Sequence, residues 1–273
     1  MMLTFAIVVM AIMGAAFGLL LGVAGKKFHV EVDPRVTRVR ECLPGANCGG
    51  CGYPGCDGYA EAVVSGKAAA DACKPGGAAA ATRIGEILGV AVDADGDRGI
   101  ARLICGGGAT CGNRARYSGI PTCRAATLAG GGFKSCEFGC LGLGDCVEAC
   151  RFDAMTMSAD GMPVIDEEKC VACGSCVKAC PRGIIEIIPR SKTVFVACRS
   201  TDSGAVTRKV CKAGCIACRL CVKACQEGAI QVENNLARID YTKCTSCGAC
   251  AAKCPTGAIK DLLKRASKIA AAI

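Results

Sequence analysis

The segment CTSCGACAAKCP at residues 244–255 decides how this chain of 273 residues folds. Its first three cysteines are separated by two residues each, and a fourth follows after three more residues and precedes a proline. The pattern recurs as CVACGSCVKACP at residues 170–181 and, without the proline, as CIACRLCVKACQ at residues 215–226. Three thiols spaced this closely can converge on one metal centre, whereas a short helix displaces the fourth towards another centre.

This spacing is typical of bacterial ferredoxins, in which three thiolates bind one [4Fe–4S] cluster and the fourth binds its neighbour. Disulfide scaffolds are typical of short secreted chains, and zinc usually takes separated pairs of cysteines rather than triplets. A zinc-stabilised interaction protein stays open as an alternative, and it would be colourless and free of sulfide. The 26 cysteines predict a carrier of electrons that is kept reduced in the cytoplasm.

The amino-terminal segment predicts a transmembrane helix. Residues 1–25 carry no charged side chain, and Leu3–Val23 is almost wholly apolar, which matches the ~30 Å hydrocarbon core of a bilayer. Lys26 and Lys27 follow at once, so the positive-inside rule places the carboxy-terminal bulk in the cytoplasm. A cleaved signal peptide is the alternative, but it normally begins with a basic region.

Three glycines form a stripe of small residues along one face of this helix. Gly14, Gly18 and Gly22 recur every four residues, a spacing that lets another helix approach closely in lipid. Glycine is also common in membrane helices generally. We interpret the face as a contact with an integral membrane partner.

A second kind of cysteine module follows in the stretch LPGANCGGCGYPGC at residues 43–56. Cys48, Cys51 and Cys56 lie in it, and Cys73 follows after sixteen further residues, so one [4Fe–4S] cluster can close without a borrowed ligand. The glycines allow the backbone to wrap closely and point N–H groups at the sulfurs. Cys42 fits no ligand position, and we interpret it as a free or structural thiol.

An apolar leading helix, this module and the ferredoxin repeats together resemble the B subunit of the Rnf complex, and that of the paralogous Rsx complex, across essentially the whole chain. The resemblance implies a membrane-bound, Na+- or H+-translocating ferredoxin:NAD+ oxidoreductase at the cytoplasmic membrane, in which this subunit relays electrons. It implies other membrane and cytoplasmic subunits and a soluble acidic ferredoxin as partners. The alternative is a polyferredoxin subunit of a membrane hydrogenase or formate dehydrogenase, which we would not expect to carry residues 43–56.

The chain shows no catalytic site for bond making of its own. Its glycine-rich stretch at residues 105–108 matches neither dinucleotide nor Walker patterns, and we find no nucleophile–base pair or paired carboxylates. We therefore predict an electron-transfer subunit of a translocase, with NAD+ reduction on another subunit.

These patterns predict an α+β chain with an N-terminal transmembrane helix, a four-cysteine [4Fe–4S] module and two tandem bacterial-type ferredoxin domains of two [4Fe–4S] clusters each. The predicted boundaries are residues 1–25 for the helix, 26–80 for the module, 81–130 for a linker or small subdomain with extra cysteines, 131–198 for the first ferredoxin domain and 199–273 for the second.

The first ferredoxin domain has a degenerate first half. KSCEFGC at residues 134–140 echoes KVCKAGC at residues 209–215, but Leu143 stands where the second ligand belongs. We predict that Cys136, the nearest cysteine, replaces that ligand. By the crossed-ligand rule of two-cluster ferredoxins, the first cluster of this domain takes Cys136, Cys140, Cys146 and Cys180.

Three further ligand sets follow from the regular runs. The second cluster of the first domain takes Cys150, Cys170, Cys173 and Cys176. The second domain has one cluster on Cys215, Cys218, Cys221 and Cys254 and another on Cys225, Cys244, Cys247 and Cys250. Together with the module cluster and the first cluster of the first domain, these three sets give at least five [4Fe–4S] clusters.

Six cysteines remain outside these five sets. Apart from Cys42 they are Cys105, Cys111, Cys123, Cys198 and Cys211. A sixth cluster that uses Cys105, Cys111, Cys123 and either Cys198 or Cys211 is one interpretation, and plain buried thiols are the other.

The formal net charge of +9 counts every cysteine as neutral. Five oxidised clusters with four thiolates each contribute roughly −10, so the loaded protein is nearly neutral. Aromatic residues make up 4% of the chain, which leaves few platforms for base stacking. We therefore expect no nucleic-acid partner.

Basic residues are nevertheless concentrated between Arg199 and Lys223. They are Arg199, Arg208, Lys209, Lys212, Arg219 and Lys223, and the tail adds Lys260, Lys264, Arg265 and Lys268. We hypothesise that this face steers an acidic ferredoxin to the second ferredoxin domain. A solvated face that balances cluster charge explains it equally well.

Overall fold

A computed structural model describes residues 2–28, 33–92 and 98–263. The first helix, α1 (Met2–Lys27), has 26 residues and is about 39 Å long at 1.5 Å per residue. Its large apolar side chains from Phe5 to Val23 are exposed. The stretch Ile7–Lys27 is long and apolar enough to cross a membrane. This helix contains the predicted span Leu3–Val23.

Three helices form the four-cysteine module: α2 (Pro34–Cys42), α3 (Gly55–Val64) and α4 (Gly77–Leu88). Val39, Tyr59 and Ile84 are the fully buried contacts between them. The Tyr59 hydroxyl donates to the carbonyl oxygens of Ala69 and Ala70, at 2.8 and 3.0 Å, and so ties α3 to the loop that leads to Cys73. The module therefore has a small apolar core beside its cysteines.

Short strands and helices make up the rest of the described chain. The strands are β1 (Gly99–Leu103), β2 (Met155–Met157), β3 (Pro163–Ile165), β4 (Ile185–Pro189), β5 (Val194–Val196), β6 (Ile230–Glu233), β7 (Leu236–Ile239) and β8 (Ile259–Asp261). The helices are α5 (Cys123–Leu128), α6 (Asp145–Glu148), α7 (Ser175–Ala179), α8 (Gly204–Val210), α9 (Leu220–Ala224) and α10 (Ala249–Lys253). The predicted α+β class is confirmed.

The strands form four antiparallel pairs, two in each ferredoxin domain: β1 with β4, β2 with β3, β5 with β8, and β6 with β7. Each domain thus combines one hairpin with one pair whose strands are distant in sequence. β6 and β7 form a hairpin, and Asn234 and Asn235 turn it with φ of 46° and 61°. Left-handed residues at both positions match the twist of a two-residue hairpin loop.

This pairing crosses the predicted domain boundaries. β1 lies in the predicted linker, residues 81–130, yet it pairs over five residues with β4 of the first domain. β5 lies in the predicted first domain, residues 131–198, but pairs with β8 of the second. A strand that closes its sheet with a partner some 65 to 90 residues away leaves no mark in the cysteine spacing, because that contact is non-local.

Cysteines make up much of the interior of both domains. In the second domain Cys198, Cys215, Cys221 and Cys250 share one core with aliphatic residues such as Ile230 and Leu236. Such a small apolar core contributes little stability by itself, so bound metal is expected to supply much of the folding free energy.

Arg102 on β1 joins the two ferredoxin domains. It is 5% exposed and forms an ion pair with Glu167 of the first domain. Its guanidinium also lies over the ring of Phe195 on β5, 5.9 Å from the ring centre. A buried cation between an acid and an aromatic face links the domains by charge and packing.

We predict that Arg102→Ala lowers the free energy of unfolding by about 1–3 kcal/mol, because it leaves a hole in the interface and an acid without its partner. Arg190→Ala is the matched control, since Arg190 pairs at 2.7 Å with a 90% exposed Glu168. We expect it to cost less than about 1 kcal/mol. Urea midpoints followed by cluster absorbance measure both, and equal effects would contradict the prediction.

Candidate iron–sulfur centres

The module loop is shaped by one asparagine. The Asn47 side-chain oxygen accepts the backbone N–H of Cys56 at 2.8 Å and so fixes the start of α3. Gly55 next to it has φ of +94°, and a Cβ there would lie 3.1 Å from that oxygen, so only glycine suits the turn. The loop thereby presents Cys48 and Cys51 towards Cys56.

Cys73 returns to the same place through the loop after α3. Burial raises the pKa of its thiol, and the neighbouring Cys56, Cys51 and Cys48 add to the shift. Thiols that are close and partly desolvated resist ionising together, and bound iron relieves this by compensating the charge. The structure thus brings the four predicted module ligands together. Cys42 stands apart from them and donates its thiol to the Arg38 carbonyl at 3.3 Å.

The second ferredoxin domain groups its cysteines as the crossed pattern predicts. A cavity of about 330 Å³ is lined by Cys215, Cys218, Cys221 and Cys254. Around Cys250, burial raises the pKa to about 11, and Cys244, Cys225 and Cys247 add to the shift. All eight predicted ligands therefore fall into the two predicted groups.

The regular half of the first domain behaves in the same way. A cavity of about 340 Å³ is lined by Cys150, Cys170, Cys173 and Cys176. Burial raises the pKa of Cys176 to about 12, with neighbouring Cys173 and Cys170 adding to it. The fourth thiol again comes from the run that precedes the triplet.

The degenerate half differs from the prediction. A cavity of about 370 Å³ is lined by Cys123, Cys140, Cys146 and Cys180, and Cys136 is not among its lining residues. Leu143, which stands where the second ligand of a regular run belongs, packs against the buried cluster that contains Cys123. Cys123 therefore lies with Cys140, Cys146 and Cys180, where the sequence predicts Cys136.

A helix cap holds Cys123 in this position. Asp145, beside Cys146, accepts the backbone N–H groups of Cys123 and Arg124 at 2.6 and 3.0 Å. Thr122 caps the same helix by accepting the Ala125 N–H at 3.1 Å. A threonine such as Thr122 is a helix-capping residue that can be recognised in a sequence. The contact with Asp145 spans 22 residues, so the sequence alone does not reveal it.

Cys136 lies in a separate cavity of about 410 Å³ with Cys105, Cys111, Cys198 and Cys211. A hydrogen bond from the Cys111 thiol lowers the pKa of Cys136. Four of these five cysteines, Cys105, Cys111, Cys198 and Cys211, lie outside the predicted ligand sets.

The cysteine groups suit [4Fe–4S] clusters better than zinc. Each of the three cavities is lined by four thiols, which is the ligand number of a [4Fe–4S] cluster. In two of them the thiols come from a closely spaced triplet and a distant fourth cysteine, whereas zinc usually takes separated pairs.

Four-cysteine sites repeated along one chain, behind a helix able to span a membrane, define a membrane-associated polyferredoxin. Comparison with known proteins agrees. Residues 43–75 match the family described as "Putative Fe-S cluster". Residues 163–186 and 237–260 match the family described as "4Fe-4S binding domain".

Three relatives align with nearly the whole chain. It is 48% identical to the B subunit of the Na(+)-translocating ferredoxin:NAD(+) oxidoreductase complex of Acetobacterium woodii, covering 92% of this chain and 75% of the relative. It is 44% identical to the proton-translocating counterpart of Clostridium ljungdahlii, over 94% and 92%. It is 43% identical to the B subunit of the ion-translocating oxidoreductase complex of Methanosarcina acetivorans, over 93% and 96%. The chain belongs to this family, the B subunits of the Rnf complexes.

We predict that Cys123→Ala lowers the iron content by about four atoms per chain, because one cluster loses a ligand. Cys42→Ala is the matched control, since Cys42 packs at the edge of the module core and donates its thiol to the Arg38 carbonyl. Iron and acid-labile sulfide of anaerobically purified protein measure the loss. An unchanged iron content in the Cys123 variant would mean that another residue is the fourth ligand.

Proposed function

We propose that this chain is the electron-relay subunit of a membrane-bound, ion-translocating ferredoxin:NAD+ oxidoreductase. It takes electrons from a reduced soluble ferredoxin and passes them to membrane partner subunits. The observation that carries this proposal is the exposure of the thiols. All 26 cysteines lie in the described residues, and only Cys218 and Cys247 are exposed, both in the second ferredoxin domain. Electrons enter there, at the end opposite the membrane helix in chain order.

We assign five clusters to the cysteine groups, and each cluster accepts and releases one electron when bound. The ligand sets are Cys48, Cys51, Cys56 and Cys73; Cys123, Cys140, Cys146 and Cys180; Cys150, Cys170, Cys173 and Cys176; Cys215, Cys218, Cys221 and Cys254; and Cys225, Cys244, Cys247 and Cys250. The grouping of their side chains supports the assignment.

The exit of electrons is supported by the contact between the module and the first ferredoxin domain. A Cβ on Gly50 would lie 2.6 Å from the carbonyl oxygen of Cys173, so the two backbones touch beside ligands of two different clusters. Arg151 donates to the Asn47 carbonyl at 2.9 Å, and Lys178 to that of Gly49 at 3.5 Å. These bonds hold the module against the domain.

From the module the chain leads directly to α1. Lys26 and Lys27 end that helix, and the positive-inside rule then places the module and both ferredoxin domains on the cytoplasmic side. A Cβ on Gly14, Gly18 or Gly22 would meet no described atom within 4 Å beyond its own helix turn, so this face remains open to a partner helix. The chain makes and breaks no covalent bonds, and NAD+ is reduced on another subunit.

A basic face beside Cys218 forms the ferredoxin entry. Lys212 and Arg219 are exposed there, with Lys209 and Lys223 on the flanking helices α8 and α9. Arg199, which we counted with them, is half-buried in an ion pair with Glu186. The tail residues Lys264, Arg265 and Lys268 lie outside the described residues.

We predict that Lys212→Glu combined with Arg219→Glu slows association with reduced ferredoxin at low salt by about 10-fold or more and weakens its salt dependence, because steering is lost. Lys67→Glu combined with Arg83→Glu is the charge-matched control on exposed residues of the module. Stopped-flow reduction of the clusters over a salt series measures both. Equal slowing in the two pairs would refute a local docking face.

We predict that Gly50→Ala slows electron delivery to the membrane partners several-fold, because the added methyl group pushes the module away from Cys173. Its backbone φ lies outside the left-handed region, so only the close approach requires glycine. Gly66→Ala is the control, since Gly66 has φ of +73° but no neighbour within 4 Å.

The measurement is ferredoxin-dependent NAD+ reduction by the purified complex, together with iron content. Iron content should stay unchanged in both variants, and the clusters of the ferredoxin domains should still be reduced. Cys51→Ser removes the exit cluster itself, and the clusters of the ferredoxin domains should then still be reduced by ferredoxin. If this replacement abolished reduction of all clusters, the proposed direction of electron flow would be wrong.

A further inference from the structure

The cavity of about 410 Å³ lies where the two ferredoxin domains meet. The segments that lead from β1 and from β5 into the two cysteine runs line it. Besides Cys140, which we assigned to a neighbouring cluster, its cysteines are Cys105, Cys111, Cys136, Cys198 and Cys211. None of these five belongs to the five assigned clusters.

This cavity resembles the cluster sites in size and lining. The three sites with ferredoxin spacing enclose about 330, 340 and 370 Å³. Glycines supply much of its remaining wall, namely Gly106, Gly107, Gly108, Gly139 and Gly214. Glycine lets backbone N–H groups approach cluster sulfurs, as in the module.

Four of the five thiols are joined by direct contacts. A Cβ on Gly107 would lie 3.5 Å from the Cys211 sulfur, 3.6 Å from the Cys105 sulfur and 3.2 Å from the Cys111 Cβ. Cys111 also pairs with Cys211 as an isolated β-bridge. Cys111, Cys136 and Cys211 also pack together in one buried cluster. Three of these four residues precede the first domain's cysteine run, which begins at Cys140, and Cys211 precedes that of the second domain.

We propose that Cys105, Cys111, Cys136 and Cys211 bind a sixth [4Fe–4S] cluster between the two ferredoxin domains. Cys198 is the spare thiol. It packs in the core of the second domain with Val196 and Ile259. Its sulfur accepts the N–H of Cys215 at 3.3 Å.

Other roles for this group explain less. Cys111 approaches two thiols at once, and a disulfide could use only one of them. Burial as inert thiols would not require a cavity of cluster size between glycine-rich loops. Cys111, Cys136 and Cys211 are buried, and Cys105 is partly exposed. Solvent access is therefore limited, as at the other sites.

The position connects the two domains. The Cys105 sulfur accepts the backbone N–H of Cys140, a ligand of the first domain, at 3.5 Å. Cys211 lies four residues before Cys215, a ligand of the second. Held by these residues, the cluster would supply a one-electron step between the two domains, with no change in bonds or protons. This relay role rests on the proposed function, whereas binding of the cluster does not.

Iron counting on the full chain, purified without oxygen in detergent, tests the proposal. Six clusters predict about 24 iron atoms and as many sulfides per chain, against about 20 for five. Cys111→Ala and Cys136→Ala should each lose about four iron atoms. Cys198→Ala and Cys42→Ala are the matched controls and should keep the full content.

Three results would overturn the proposal. They are a wild-type content of about 20 iron atoms, zinc at this site, or loss of iron in Cys198→Ala together with retention in Cys105→Ala. If an alanine variant loses iron from every cluster, Cys111→Ser serves in its place. It should shift the paramagnetic signal of one cluster and leave the others unchanged, and an unaltered spectrum would count against the site. These readouts need no ferredoxin or NAD+, so they are independent of the proposed function.

Discussion

Coordination of iron by four converging thiolates is the constraint on which this structure depends. Each ferredoxin domain has only short strands, helices of four to seven residues and a small aliphatic core. Elements this short are marginal without tertiary support. Buried thiols such as Cys140, with its pKa raised to about 12 by burial, do not ionise readily in the free protein. Iron binding therefore couples ionisation, convergence of the cysteines and folding.

The same constraint explains how the chain is divided. Each domain closes its sheet with a strand from well before its cysteine run, β1 for the first and β5 for the second. Both strands lead directly into a cysteine, Cys105 or Cys198, whose sulfur accepts an N–H from the first cysteine of the following run. The repeat is therefore longer than its cluster motifs. Arg102 then joins the two repeats by its contacts with Glu167 and Phe195.

The protein is arranged as a series of metal sites with different exposure. The two exposed thiols lie in the second domain, the buried groups occupy the middle, and the module touches the first domain through backbone alone at Gly50. Close backbone contact keeps neighbouring centres near each other without side chains between them. A relay gains from such rigid spacing, because electron transfer requires no movement of the protein.

The amino-acid sequence by itself determined the class of the protein, the extent of α1, the grouping of the module cysteines and that of the regular cysteine runs, because these depend on spacings within about thirty residues or on the crossed-ligand rule. Only the tertiary structure decided that Cys123 rather than Cys136 lies with Cys140, Cys146 and Cys180. It alone decided that β1 and β5 pair with β4 and β8, and that Cys105, Cys111, Cys136 and Cys211 meet. Those choices depend on contacts such as Asp145 with the amino end of α5 and on pairings between distant strands, for which single-chain spacing carries no signal.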